Sequence, residues 1–445
     1  MNGTPGLPMN ISPQRRQEIL DALRRGTVPQ RSLDAFAVGL QRFQGAIDEE
    51  LGRVKGGGSI FKAVRGEYGS GKTFFARWLQ EHARQQGFAA AEVQVSETET
   101  PLHQLETVYR RLMERLSTAS TPQGALREIV DAWFYALEED VLASGRVDST
   151  NTKALLDSTN DLMEKRLASV TRTAPMFAAA LRGYRGAVGA GDTAGADGIL
   201  AWVAGQPNVA QASKKAAGVK GDIDHFGALS FLQGLLVVLR DSGHPGLVLV
   251  LDEVETIQRV RSDIRDKGLN ALRQLLDEVD AGRFPGLYLL ITGTPAFYEG
   301  PQGVRRLEPL AQRLYLDTKT DARFDSPRAV QIRLPGFSLQ SLADVGRRVR
   351  DIYSSHCANG QRILTLADDE YLDRLAQAVT GSLGGKVGIA PRLFLKKLFA
   401  DVLDRIDLHP EFDPKVHYQL TVDDHEMTTA ERNAAKGVDD IDLQV

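Results

Sequence analysis

The stretch SIFKAVRGEYGSGKTFFARWL, Ser59 to Leu79, decides the fold. SIFKAV reads as a short buried strand. It feeds directly into GEYGSGKT, Gly66 to Thr73, which fits the pattern G-x-x-x-x-G-K-[ST], and the following FFARWLQEHARQQ has helical periodicity. Strand, glycine-rich loop and helix together make a P-loop. Small residues let consecutive backbone N–H groups wrap a phosphate chain, and the helix N-terminus adds the positive end of its dipole. The phosphate-binding set is then Gly66, Glu67, Tyr68, Gly69, Ser70, Gly71, Lys72, Thr73 and Phe74. Lys72 reaches the β- and γ-phosphates and the Thr73 hydroxyl holds magnesium, so ATP and Mg2+ are the expected cofactors. Glu67 reads as an outward-facing loop residue.

Downstream, AAAEVQVSE from Ala89 alternates like a second strand and completes a βαβ start. Between Leu102 and Arg240 the patterns are almost only helical, with a Gly/Ala-rich stretch from Gly183 to Gly198, which predicts a helical insertion over about 102–240. LVLVLDE, Leu247 to Glu253, is apolar until its end, as a central parallel strand covered on both faces should be. Asp252 and Glu253 therefore fall at the sheet's C-terminal edge, where open α/β sheets bind ligands. Asp252 is expected to support magnesium as a Walker-B carboxylate, and Glu253 to act as general base on the attacking water. LYLLITGT, Leu287 to Thr294, is another buried strand, whose Thr292 is a candidate γ-phosphate sensor; a turn cap formed by Thr292 or Thr294 is the alternative. AVQIRLP, Ala329 to Pro335, supplies one more strand.

After Pro335 only helical patterns follow until a strand expected at about Tyr418. The fold class is α/β: a three-layer parallel sheet with a P-loop, a large helical insertion and a C-terminal helical lid. The expected divisions are an N-terminal helical segment (1–58), the nucleotide core (59–338), the lid (339–408), and a C-terminal strand with a flexible acidic tail (409–445). Arg305, Arg306 and Arg313 in GVRRLEPLAQRL are arginine-finger candidates, which would be donated across a subunit boundary in a homo-oligomer. Arg392, after Pro391 at the start of a lid helix, is a second candidate sensor of the γ-phosphate.

Composition narrows the classes. Fifty-four Lys plus Arg against 58 Asp plus Glu give a net charge of -4, so any contact with DNA needs a local patch. RRVR at Arg347–Arg350, with Lys396 and Lys397, is the candidate patch, against its reading as a solvated helix face. The single cysteine, Cys357, leaves no internal disulfide and no Cys-based zinc cluster. No histidine pair has metal-ligand spacing, and Trp78, Trp133 and Trp202 read as core. No apolar run approaches the ~18 residues that span a bilayer, which predicts a cytoplasmic protein with no membrane contact.

A glutamate after the Walker-B aspartate, a Thr-ended strand, downstream arginines and a helical lid with its own arginine together resemble the AAA+ ATPases, nearest the origin-recognition and STAND branch. In that group the segment before the P-loop makes the adenine pocket, which implies Val28, Pro29 and Gly39 here. More narrowly, RGTVPQRSLDAFAVG, FKAVRGEYGSGKTFFARWL and LHQLETVYRRLMERLS resemble the ATP-binding proteins of BREX phage-defence systems, the BrxD-like group, from about Ile19 to about Asp404. The resemblance implies an ATPase that couples ATP binding and hydrolysis to assembly or remodelling of a defence complex, with other defence proteins as partners and DNA as a candidate ligand. An ATP-dependent switch or scaffold with little turnover, and a DNA-binding regulator, are the alternatives.

Overall fold

The computed structural model describes residues 12–29, 31–145, 147–148, 150–172, 174–355, 357–383, 388, 391–427 and 432. Five strands, β1 (Ile60–Arg65), β2 (Ala89–Gln94), β3 (Leu247–Asp252), β4 (Leu287–Gly293) and β5 (Gln331–Arg333), form one sheet in the order β2-β3-β4-β1-β5. Every pairing in it is parallel. The sheet is thus an all-parallel α/β sheet with the P-loop following β1. Its register brings the functional ends together: Val64 lies beside Thr292, and Gln94 beside Asp252.

Strand periodicity explains both layers that cover the sheet. Phe61, Ala63, Leu249, Leu251, Leu289 and Ile291 point to one face and join a core built with the helices inserted between β2 and β3. Val64, Val248, Val250 and Leu290 point to the other. There they meet α1 (Pro13–Arg24), α2 (Gln41–Lys55), α3 (Lys72–Gln85) and the C-terminal helices. The insertion starts with α4 (Leu105–Arg115) and ends with the helix His225–Asp241, which packs on it. Trp133 and Trp202 are buried there, and each satisfies its indole N–H, on Asp241 Oδ2 at 2.7 Å and on the Gly221 carbonyl at 2.9 Å. Trp78 does the same on Asp34 Oδ1 at 2.7 Å.

One charge sits inside the strand that leads to the loop. Lys62 is 1% exposed; its ammonium lies 2.7 Å from Glu50 on α2 and donates to the carbonyls of Pro327 and Ala329. Tyr288 on β4 donates to the same glutamate at 2.6 Å. Full partnering is what makes a buried pair tolerable, and this one ties α2 to the sheet centre.

The region expected to form the lid contains the helices Leu339–Ser354, Gly360–Leu366, Asp369–Ser382 and a long helical run that begins at Pro391 and passes through a π-helical stretch, Lys397–Leu403. The N-terminal α1 docks on it: Arg24 donates two hydrogen bonds to Asp404, at 2.9 and 2.8 Å, and Tyr353 donates a third at 2.8 Å. The strand expected at about Tyr418 does not form. Residues 418–423 have no ladder partner, and Tyr418, Leu420 and Val422 instead pack against the second core, so their alternation serves a helical surface. The start of the expected acidic tail is also held down. Met427 is buried and the Glu426 carboxylate accepts from Lys397 at 2.7 Å; residues 428–431 and 433–445 lie outside the described residues. Among the described residues no helix is long and apolar enough to cross a membrane.

Candidate functional site

The loop between β1 and α3 owes its shape to glycine. Gly69 and Gly71 adopt φ of 77° and 90°, left-handed values that other residues reach only with strain. A Cβ on Gly66 would lie 2.2 Å from the Ser70 hydroxyl, so the loop closes only without one. Lys72, the first residue of α3, turns back across the loop and donates to the carbonyls of Gly66 at 2.9 Å and Glu67 at 3.1 Å. Burial lowers its pKa, and the charges of Glu255, Asp252, Glu253 and Glu67 oppose that.

Asp252 ends β3 directly below. Thr73 donates to its Oδ2 at 2.9 Å, and Thr292 donates to its Oδ1. Burial raises the Asp252 pKa, while these two hydroxyls favour the charged form. Thr292 also accepts the Glu253 backbone N–H at 3.1 Å and is fully buried. The single hydroxyl hydrogen is thus spent on Asp252. Thr292 holds the acidic pair, its hydroxyl facing Asp252.

Glu253 is one of three described non-glycine residues at positive φ, at 59°. Such backbone costs about 1–3 kcal/mol and persists where the surroundings impose it. Here the left-handed turn breaks the strand, and a 3-10 helix, Val254–Arg259, follows. The Glu253 carboxylate accepts a hydrogen bond of 3.0 Å from Gln94 at the end of β2. The same turn carries Glu255, 4% exposed, back under the loop. Neither of its carboxylate oxygens has a hydrogen-bond partner, and burial pushes its pKa up to about 7 although Lys72 pulls the other way.

A cavity of about 410 Å³ opens over this cradle. The loop, Glu253 and Glu255 form one end; Val28, Pro29, Phe36, Gly39 and Phe337 give the other an apolar lining. An apolar slot beside a phosphate cradle suits a purine base. Val28, Pro29 and Gly39 all line this cavity. Arg392 lines the cavity from the lid, packs over Gly26 and donates to the Glu426 carbonyl.

The other arginine candidates stand apart from the cavity. Arg306 is paired with Asp266 at 2.9 Å, Arg313 with Asp277, and Arg305 is exposed near Glu299. The arginine that reaches the loop is Arg259, whose guanidinium donates to the Tyr68 hydroxyl at 3.4 Å. Sequence reading singled out none of Arg259, Gln94 and Glu255. Gln94 carried a signal, a polar residue at the end of a strand beside the Asp-Glu strand.

A sequence model of the family described as "BREX system ATP-binding protein BrxC/D" matches residues 11–422. The chain belongs to this family. It is thus an ATP-binding protein of the BREX kind, and antiviral defence is its setting. Among solved structures, "Structure of Drosophila ORC bound to DNA" is similar at a TM-score of 0.29 and 14% identity, over 91% of this chain and 70% of that one. The comparison with curated proteins returns no match.

The residues of this BrxC/D-family site fit ATP with magnesium. Ser70 Oγ and both Glu255 oxygens are buried without a protein partner, so polar capacity is left for a ligand. Thr73 and Asp252 form a hard oxygen pair next to the loop, the donor type magnesium takes.

Proposed function

We propose that the chain is a magnesium-dependent ATPase whose cycle of ATP binding and hydrolysis drives assembly or remodelling of a defence complex with other proteins. The arrangement of Asp252, held from both sides by Thr73 and Thr292 with Glu253 next to it, carries this reading.

In the proposed cycle the apolar slot at Val28 and Pro29 takes the base. The loop N–H groups take the phosphates, and Lys72 exchanges its two carbonyl partners for phosphate oxygens. Thr73 and Asp252 hold magnesium, which supplies neutralisation of phosphate charge when bound. Glu253 accepts a proton from water as the water oxygen bonds to the γ-phosphorus and the bond to the bridging oxygen breaks. Arg392 reports the γ-phosphate to the lid. Of the arginine-finger candidates, Arg306 and Arg313 are engaged by carboxylates of their own chain, so Arg305 is the one proposed to act in trans in a homo-oligomer.

The second reading, a switch with little turnover, is favoured by one observation: Gln94 holds the Glu253 carboxylate, so the base is restrained. Steady-state phosphate release with Mg-ATP, with and without duplex DNA, separates the two. Turnover of at least about 1 per second, within the ordinary enzyme range, is expected in one of these conditions. Tight ATP binding with no release in either would leave the switch.

A further inference from the structure

The basic run that the sequence singles out is electrostatically spent. Arg347 is paired with Asp344 at 2.8 Å and Asp373 at 2.6 Å, Arg350 with Asp369 at 2.7 Å, and Arg348 donates to the Ala37 carbonyl. Lys396 and Lys397 both face Glu426.

A different place holds the open positive charge. Along the outer edge of β2, where Ala90 bridges Ser117, lies a polar groove of about 760 Å³, lined by six arginines, Arg15, Arg31, Arg77, Arg84, Arg111 and Arg115, against three glutamates. The glutamates are all occupied. Glu92 pairs with Arg77 at 3.2 Å and Glu99 with Arg111 at 3.1 Å, while Glu81 accepts the backbone N–H groups of Ser32 and Leu33. Arg15, Arg31, Arg84 and Arg115 have no carboxylate within ion-pair distance among the described residues. Arg84 is half-buried; burial lowers its pKa, the charge of Glu81 opposes that, and Arg31 adds to the lowering while Glu92 counters it. Among the described residues its side-chain hydrogen bond is a neutral one, to Ser117 Oγ at 3.3 Å. Six guanidinium groups against three carboxylates leave an excess of positive charge, which an anion arriving between them would offset.

We propose that this groove is a second anion site, distinct from the ATP cradle, which grips the phosphodiester backbone of duplex nucleic acid. The lining chooses among anions. It offers planar guanidinium forks, the geometry that matches phosphate, together with hydroxyls and amides such as Ser117, Thr118, Gln85 and Gln123. No aromatic side chain lines it, so there is no platform on which an unpaired base would stack, and contact is with the backbone. An acidic peptide would also want apolar pockets for its neighbouring side chains, and Ala119 and Pro122 are the only apolar residues of the lining. The four arginines come from α1, the segment before α2, α3 and α4, so the groove exists only once these elements are assembled.

The test is fluorescence anisotropy of a labelled 20-base-pair DNA duplex with the full chain across a salt series. The wild type is expected to bind with an affinity that falls steeply with salt and is indifferent to sequence. Arg15→Glu with Arg115→Glu, both exposed positions, should weaken binding at least about tenfold and reduce the salt slope by about 2, while ATP affinity is unchanged. Arg323→Glu, an equal charge reversal elsewhere, should change it less than about twofold. Arg115→Gln alone, a mild change that keeps a polar side chain, should lower the slope by about 1. The proposal is overturned if the wild type does not bind the duplex, if the groove variants bind as well as the wild type, or if poly-glutamate or inorganic phosphate competes as well as unlabelled duplex.

Discussion

The ATP cradle and the β2-edge groove are both lined with charge, but with opposite balance. In the cradle Lys72 faces Asp252, Glu253, Glu255 and Glu67. In the groove four arginines lack carboxylate partners. A bare polyphosphate entering the cradle meets an acidic surface, so it must bring a cation; a phosphodiester entering the groove needs none. The difference teaches that a phosphate-binding region is recognised by its net field as well as by its donors.

The comparison breaks most visibly at Glu253. Glu253→Gln should lower turnover by ~10²–10⁴-fold while leaving ATP affinity within about twofold, measured by phosphate release alongside calorimetric titration. A variant that turns over normally would make the cradle a holding site and remove its chemical distinction from the groove.

Glu255 sharpens the acidic side of the contrast through pH. Its folded pKa, about 7, lies above the ordinary 4.5. Below pH 4.5 both folded and unfolded chains hold the proton and the residue costs nothing. As pH rises from 4.5 to 7 the unfolded chain sheds it first, so stability is lost across that window and stays lost above it. Glu255→Gln should therefore be more stable than the wild type by about 3 kcal/mol at pH 8 and equal to it near pH 4, in denaturant titrations. Equal stability at both pH values would mean that the carboxylate is not buried against the loop as described.

Metal removal tests the need for a cation directly. Chelation of magnesium should weaken ATP binding at least about tenfold and leave duplex binding to the groove unaltered, once ionic strength is matched. The smallest effect is expected at Gln94. Gln94→Ala should release Glu253 and raise basal turnover about two- to fivefold, the value of one hydrogen bond to a charged group shared between two states.

Sequence made the cradle legible because its constraint is a backbone one. A loop that must reach left-handed φ at Gly69 and Gly71 and close Gly66 onto Ser70 writes itself as glycine. Asp252 and Glu253 were legible for a similar reason, as charges that interrupt an apolar strand. Glu255 was not, since its place depends on the left-handed turn at Glu253, which no residue type announces. The strand-end position of Thr292 was evident, but its bond to Asp252 depends on the β3–β4 pairing. The acidic counterparts of Arg347 and Arg350 include residues from another helix, Asp369 and Asp373, so a dense basic run carries little free charge. The groove is the converse, with Arg15, Arg31, Arg84 and Arg115 spread over a hundred residues of sequence and gathered only by packing. The strand expected near Tyr418 failed because alternation also suits a chain lying on helices.

Calorimetric titration of Mg-ATP into the wild type and Lys72→Ala tests the central claim most directly. The cradle described here predicts micromolar or tighter binding for the wild type and a loss of at least about 100-fold in the variant, with the fold retained as judged by circular dichroism. ATP binding by Lys72→Ala at wild-type affinity would contradict it.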